Sequence, residues 1–167
     1  TSRVSIDSSG LLDMNNLTEY FGSLAGSGHV SMGTGNLQVG EDGSSSVFSG
    51  LIEGSGYVVK AGSETFTLSG NNAYTGETHI LNGTMLINGS QPGSSVLVLS
   101  GGTLGGIGTV GDITNYGVVA PGNSAGDLSS GSTLFQSGSS FTVELNGHML
   151  SDYDQLDVNG GVSLGRS

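Results

Sequence analysis

Residues 62–90 read GSETFTLSGNNAYTGETHILNGTMLINGS. Inside this stretch Phe66-Thr67-Leu68-Ser69-Gly70 returns nineteen residues later as Met85-Leu86-Ile87-Asn88-Gly89. Gly83-Thr84-Met85 returns at the same offset as Gly102-Thr103-Leu104. Each unit alternates apolar residues with small or polar ones, the period of a strand with one buried face. A recurrence near twenty residues matches one coil of a parallel β-helix. In that architecture strands pair between successive coils. Phe66, Leu68, Met85, Ile87 and Leu104 then point inward as ladders along the axis, and Gly and Asn occupy the corners where the chain turns.

Working outward, the same texture continues. Val4-Ser5-Ile6, Val30-Ser31-Met32, Leu37-Gln38-Val39, Ser95-Val96-Leu97-Val98-Leu99, Phe141-Thr142-Val143-Glu144-Leu145 and Leu156-Asp157-Val158 read as short strands. Asn-Gly pairs at 82–83, 88–89, 146–147 and 159–160 mark tight turns. Gly26-Ser27-Gly28-His29-Val30 returns as Gly54-Ser55-Gly56-Tyr57-Val58, a looser repeat with an offset of 28. Met14, Leu17, Phe21 and Leu24 fall at helical spacing, so a short helix is admissible there, although Asn15-Asn16 and Gly22 oppose it.

Composition narrows the classes. Gly, Ser and Thr fill 73 of 167 positions, which disfavours a helical bundle, and apolar periodicity separates the chain from a flexible linker. Cysteine is absent, which excludes a disulfide scaffold. The net charge is −11 with only Arg3, Lys60 and Arg166 as cations, too few for a nucleic-acid or anionic-lipid surface. No apolar run reaches the length of a membrane span. The expected fold is an all-β, right-handed parallel β-helix with roughly 20 residues per coil, forming roughly eight coils and about 40 Å of rod. Residues 1–167 are read as one solenoid fragment of a longer chain, since Val162-Ser163-Leu164 ends the sequence inside a strand-like pattern.

The ordered series in residues 62–90 resembles the passenger-associated transport repeat of bacterial type V autotransporters. That pattern runs Gly-Thr-Leu-Thr-Leu-Ser-Gly, Asn-Thr-Tyr-Thr-Gly, Gly-Thr-Leu and Asn-Gly. Here Ala73 stands in place of Thr, and Phe66 and Met85 in place of Leu. Residues 101–111 and Ala120-Pro121-Gly122-Asn123-Ser124-Ala125-Gly126 are similar to the segments that follow the repeat, and Asp152-Tyr153-Asp154-Gln155-Leu156-Asp157-Val158 to a further one. The repeat region covers approximately 50–126. The resemblance implies a passenger displayed on or released from the Gram-negative outer membrane, carried by a C-terminal translocator β-barrel outside this sequence. It also implies roles that range from adhesin or biofilm protein to carrier of an enzymatic domain.

A polyuronate lyase needs clustered cations, which Arg3, Lys60 and Arg166 do not supply. A glycosidase needs two facing carboxylates, and Asp152, Asp154 and Asp157 are the nearest in sequence. The same three acids, and Glu41-Asp42-Gly43, are the best calcium candidates, but a solvated acidic turn explains each more simply. His29, His79 and His148 lack the sequence context of a catalytic triad. Gly33-Thr34-Gly35 and Gly54-Ser55-Gly56 lack the helix that a phosphate loop requires. Tyr20, Tyr57, Tyr74, Tyr116 and Tyr153 could serve as an aromatic platform.

Ser44-Ser45-Ser46, Ser129-Ser130 and Ser137-Gly138-Ser139-Ser140 could present hydroxyls to glycans, proteins or another copy of the chain. The threonine spacing looks too irregular for a ladder. The expectation is therefore a structural stalk serving adhesion, aggregation or biofilm formation, with no catalytic, cofactor or metal residues. An enzyme using flank carboxylates and a segment that nucleates folding during secretion are the alternatives.

Overall fold

The computed structural model describes residues 2–123, 125–147, 149 and 152–165. They form a parallel β-solenoid without an α-helix among them. Each full coil supplies three strand positions. The first face carries Leu37–Val39, Val58–Lys60, Ile113–Asn115, Thr133–Phe135 and Val162–Leu164. The second carries Ser2–Ile6, Ser46–Phe48, Thr65–Leu68, Val118–Pro121 and Ser140–Phe141. Three longer strands, Glu19–Gly26, Thr78–Ile87 and Val96–Gly106, run through both faces and join them in one sheet. Third-face strands lie in two shorter sheets, the first from Leu11–Asp13 to Ala73–Tyr74 and the second from Ser90–Gln91 to Gln155–Val158.

The nineteen-residue repeat is the stacking register itself. Phe66 pairs with Met85, Leu68 with Ile87, and Met85 with Leu104. All five are 0–1% exposed. On the first face Phe21, Val39, Lys60, Ile80, Val98, Asn115, Phe135 and Leu164 form one column. Its members lie 18, 21, 20, 18, 17, 20 and 29 residues apart, which gives seven steps. At about 4.8 Å per step this is about 34 Å of rod rather than the expected 40 Å. The column starts at Phe21 and so leaves out the coil of Ser2–Ile6, which pairs beneath Glu19–Gly26.

Three sequence readings need correction. The helical spacing at Met14–Leu24 belongs to a turn followed by the strand Glu19–Gly26, where Leu24 packs inward beside Val4. The offset of 28 is not a stacking register: Gly28 lies beneath Gly50, whereas Gly56 lies above Gly35. Phe141–Leu145 is not one strand. Pairing stops at Phe141, and the chain then leaves the coil as a loop closed by an antiparallel bridge between Leu145 and Tyr153.

Two of the buried polar groups bear directly on stability. Lys60 occupies the inward column between Val39 and Ile80 and is wholly buried. Its ammonium donates to the carbonyls of Ala61 at 2.5 Å, Gly62 at 2.9 Å and Asn82 at 3.1 Å. The methylene stem thus serves as core, and the three donors satisfy carbonyls freed where two coils turn. Burial away from water lowers the Lys60 pKa below its ordinary 10.5. The folded state therefore releases this proton at lower pH than the unfolded chain. Its contribution to stability is least favourable while Lys60 is charged and improves as pH rises through the lowered value toward 10.5. The melting temperature of the parent minus that of Lys60→Met is expected to increase between neutral pH and that limit. A constant difference would refute the assignment.

The second replaces an aliphatic rung on the first face, where Thr78 lies between Val58 and Val96. Ser94 Oγ donates to the Gly76 carbonyl at 2.7 Å, so its single proton is used and Thr78 donates to Ser94 at 2.9 Å. Thr78 Oγ1 then accepts from Tyr74 at 2.8 Å and from Gln91 Nε2 at 3.1 Å. Burial pushes the Tyr74 hydroxyl well above the usual tyrosine range, partly offset by these bonds, so it remains a donor. Tyr74→Phe removes one donor and is expected to cost about 1 kcal/mol. Thr78→Val keeps the shape but strands three partners, and is expected to cost about 3 kcal/mol. Urea unfolding measures both, and equal small effects would show that the bonds do not form a chain.

Candidate functional site

The sequence candidates do not converge. Asp152, Asp154 and Asp157 lie in different settings. Asp152 Oδ2 accepts the Met149 amide at 3.0 Å inside the loop, and Asp157 is exposed on Gln155–Val158 beside Ser129. Asp154 is only 7% exposed and closes the loop at its neck. Its Oδ2 accepts the Glu144 amide at 2.8 Å, and its own amide donates to the Glu144 carbonyl at 3.1 Å. Asp42 accepts Ser23 Oγ at 2.7 Å and the Ser44 amide at 2.9 Å. The Ser23 hydroxyl, foremost, holds its carboxylate below the usual aspartate range. Among the described residues no three of His, Asp and Glu come together as a metal-ligand set.

His29 and His79 both face outward, His29 on the third face between Leu11 and Leu51 and His79 on the first between Val59 and Leu97. His29 Nε2 lies 3.1 Å from Glu53 Oε1, an ion-pair contact without hydrogen-bond alignment. His79 bonds Glu77 Oε2 at 2.8 Å and stacks on Tyr57 with ring centroids 5.0 Å apart. Among the described residues neither is paired with a serine hydroxyl. His148, Ser124 and Arg166 lie outside the described residues. Arg3 is exposed on the first strand, while Lys60 is sealed in the core and is unavailable to an anionic ligand. Tyr74 is likewise internal, leaving Tyr20, Tyr57 and Tyr116 as exposed rings.

The serine runs are corners more than rows. Ser46 points into the core beneath Phe66, and Ser130 is buried against Thr133 at 3.0 Å. A hydroxyl column does exist where the sequence reading saw irregular spacing: Thr65, Thr84 and Thr103 stand in register on the outside of the second face. Gly33-Thr34-Gly35 and Gly54-Ser55-Gly56 are stacked corners. A Cβ at Gly56 would fall on the carbonyl oxygen of Gly35.

One concave feature combines shape with polar groups. On the outside of the second face, Gly105 and Ala120 leave a shallow floor beside Leu86. The neck of the 144–154 loop stands over it, so Thr142, Glu144 and Asp154 wall a pocket of about 320 Å³. A larger space of about 530 Å³, lined by Phe135, Phe141, Leu156, Val158, Val162 and Leu164, lies where the inward columns stop after the final described coil.

Comparison with known proteins identifies the architecture. Residues 58–87 match the passenger-associated-transport-repeat family. An extracellular serine protease of Serratia marcescens is 40% identical over 125 residues, which are 70% of this chain and 12% of that protein. The adhesin BmaC autotransporter of Brucella suis biovar 1 (strain 1330) is 38% identical over 104 residues, 59% of this chain and 3% of that protein. The chain thus spans a small fraction of the curated relatives that it matches. The matched repeat coincides with the strands that put Phe66, Tyr74, Lys60 and Met85 inside the coils. The chain is a passenger segment of the autotransporter type, a β-solenoid that carries a passenger-associated transport repeat.

Proposed function

We propose that this segment is a non-enzymatic scaffold of a surface-displayed or secreted passenger, and that it supports adhesion, aggregation or biofilm formation by holding other segments away from the cell. The continuous inward column from Phe21 to Leu164 carries this reading, because parallel ladders closed by buried polar rungs make a stiff rod. The relatives add support. One bears the name of a protease and another that of an adhesin, yet both share this stretch, so the common element is the solenoid and not one chemistry. A C-terminal translocator barrel of the same precursor is the partner that this role requires, with host or bacterial surface molecules as further contacts.

Surface display of the full passenger tests the reading. His29→Gln combined with His79→Gln should leave display and cell aggregation at parental levels. Met85→Asp should abolish the protease-resistant stalk and aggregation together. Loss of function with the histidines alone, and retention with Met85→Asp, would refute a scaffold role.

A further inference from the structure

The Asn-Gly pairs at 82–83, 88–89, 146–147 and 159–160 share one latent reaction, attack by the glycine amide nitrogen on the asparagine carboxamide, and the fold sets them apart. Asn82 lies at a break in pairing. The strand Thr78–Ile87 shifts register against Val96–Gly106 between Ile80 and Asn82, and the Asn82 side chain is exposed. The Gly83 amide donates to Asn82 Oδ1 at 3.0 Å, so nucleophile and carboxamide already stand side by side. Among the described residues Asn82 Nδ2 has no acceptor, so rotation about Cβ–Cγ, a soft torsion, turns the face of Cγ toward that nitrogen. Glycine carries no side chain to obstruct the approach.

A second feature supplies activation. The attacking nitrogen and the Asn82 carbonyl oxygen belong to one conjugated peptide unit. That oxygen accepts from the buried Lys60 ammonium at 3.1 Å. Loss of the Gly83 proton puts negative charge on this unit, largely on oxygen, where the ammonium stabilises it as an oxyanion-hole donor does. The other pairs differ. Asn88 Oδ1 is held by the Ile107 amide at 3.3 Å and Asn123 Nδ2 at 2.9 Å, and the Gly89 amide is committed to the Leu68 carbonyl at 3.2 Å. Asn146 Nδ2 faces the Glu144 carboxylate at 3.5 Å, and Asn159 Nδ2 the Ser130 carbonyl at 3.4 Å.

We propose that Asn82-Gly83 is a self-modifying site, at which Lys60 promotes closure of a succinimide and its opening to isoaspartate. Hydroxide takes the Gly83 amide proton, and the nitrogen lone pair bonds to Asn82 Cγ. The Cγ–Nδ2 bond breaks, and Nδ2 leaves as ammonia after taking a proton from water, which restores the hydroxide. Water then opens the ring. Addition at Cγ gives aspartate. Addition at the former peptide carbonyl, which Lys60 polarises, gives isoaspartate, with the chain now running through Cβ. The released α-carboxylate carries the oxygen that Lys60 already contacts, so the product pairs a buried ammonium with an opposite charge. This chemistry is independent of the scaffold reading.

The test incubates the folded chain in mildly alkaline buffer and maps its peptides by mass spectrometry with electron-transfer fragmentation, which separates isoaspartate from aspartate. Asn82 is expected to convert about tenfold faster than Asn88 or more, with isoaspartate as the main product. In concentrated urea, where the Lys60 contact is lost, Asn82 should slow and the two sites should converge. Lys60→Met, with its fold checked by circular dichroism, should slow Asn82 about tenfold in buffer and leave the rates in urea unchanged. If that variant does not fold, the parent in buffer against the parent in urea decides. Conversion of Asn82 no faster than Asn88, a faster rate in urea than in buffer, or an unchanged rate in folded Lys60→Met would each overturn the proposal.

Discussion

Met85→Asp is expected to unfold the central coils at physiological temperature. Met85 is 0% exposed and lies in register between Phe66 and Leu104, so a carboxylate there has apolar neighbours above and below. The substitution forfeits roughly 1.5–3 kcal/mol of apolar burial. It also places an unpaired charge where no donor stands, for a total of about 5 kcal/mol or more. That is comparable to the whole stability of many domains. Because each coil pairs only with its neighbours, the damage should spread to the coils on both sides. Met85→Leu, similar in volume, should cost less than about 1.5 kcal/mol. Thermal melting followed by far-UV circular dichroism separates the two. An unchanged melt for Met85→Asp would remove the residue from the interior.

Gly70→Ala is expected to be severely damaging for a single added carbon, about 3 kcal/mol. Five glycines stack at the corner between the second and third faces: 28, 50, 70, 89 and 108. A Cβ at Gly50 would fall on the carbonyl oxygen of Gly28, one at Gly70 on that of Gly50, one at Gly89 on that of Gly70 and one at Gly108 on that of Gly89. The clash is with backbone, which cannot swing aside as a side chain can. Relief requires two coils to separate and their ladder bonds to lengthen. Gly161→Ala is the control, since a Cβ there meets nothing within 4 Å. It should be neutral or slightly stabilising through the unfolded state. Chemical denaturation of the pair measures the contrast, and similar midpoints would show that the corner tolerates a side chain.

The inward ladder of Phe66, Leu68, Met85, Ile87 and Leu104 was legible because strand alternation and coil period both leave marks in the sequence. Corner glycines were legible as punctuation, though their stacking was not: the 28-residue recurrence linked two different corners. Lys60 and Thr78 were not legible as interior residues. Their side chains are polar, and only the carbonyls of Gly62 and Asn82 or the hydroxyls of Tyr74 and Ser94 explain their burial. Those partners come from other strands and corners. Helical spacing at Met14–Leu24 misled because a tight turn followed by a strand also repeats apolar residues at three and four.

The pocket shows the same division. Asp154 is one of three acids close in sequence, but that proximity groups it with Asp152 and Asp157, which serve other contacts. Its neighbours in the pocket, Gly105 and Ala120, come from earlier coils and were unremarkable in a glycine-rich chain. The length of the last coil was the available signal, since the interval between matching strands grows there from about twenty residues to 28.

The most direct test of the stacked-coil account is one distance. Val47, Thr67, Leu86, Gly105 and Ala120 form a column on the outside of the second face, four coil steps from end to end. The chain has no cysteine, so Val47→Cys with Ala120→Cys gives a clean doubly spin-labelled protein. Dipolar spectroscopy should return a single narrow distribution consistent with a Cα separation of about 19 Å, at about 4.8 Å per step. A broad distribution, or one centred far from that spacing, would contradict the parallel coil stacking on which the rod depends.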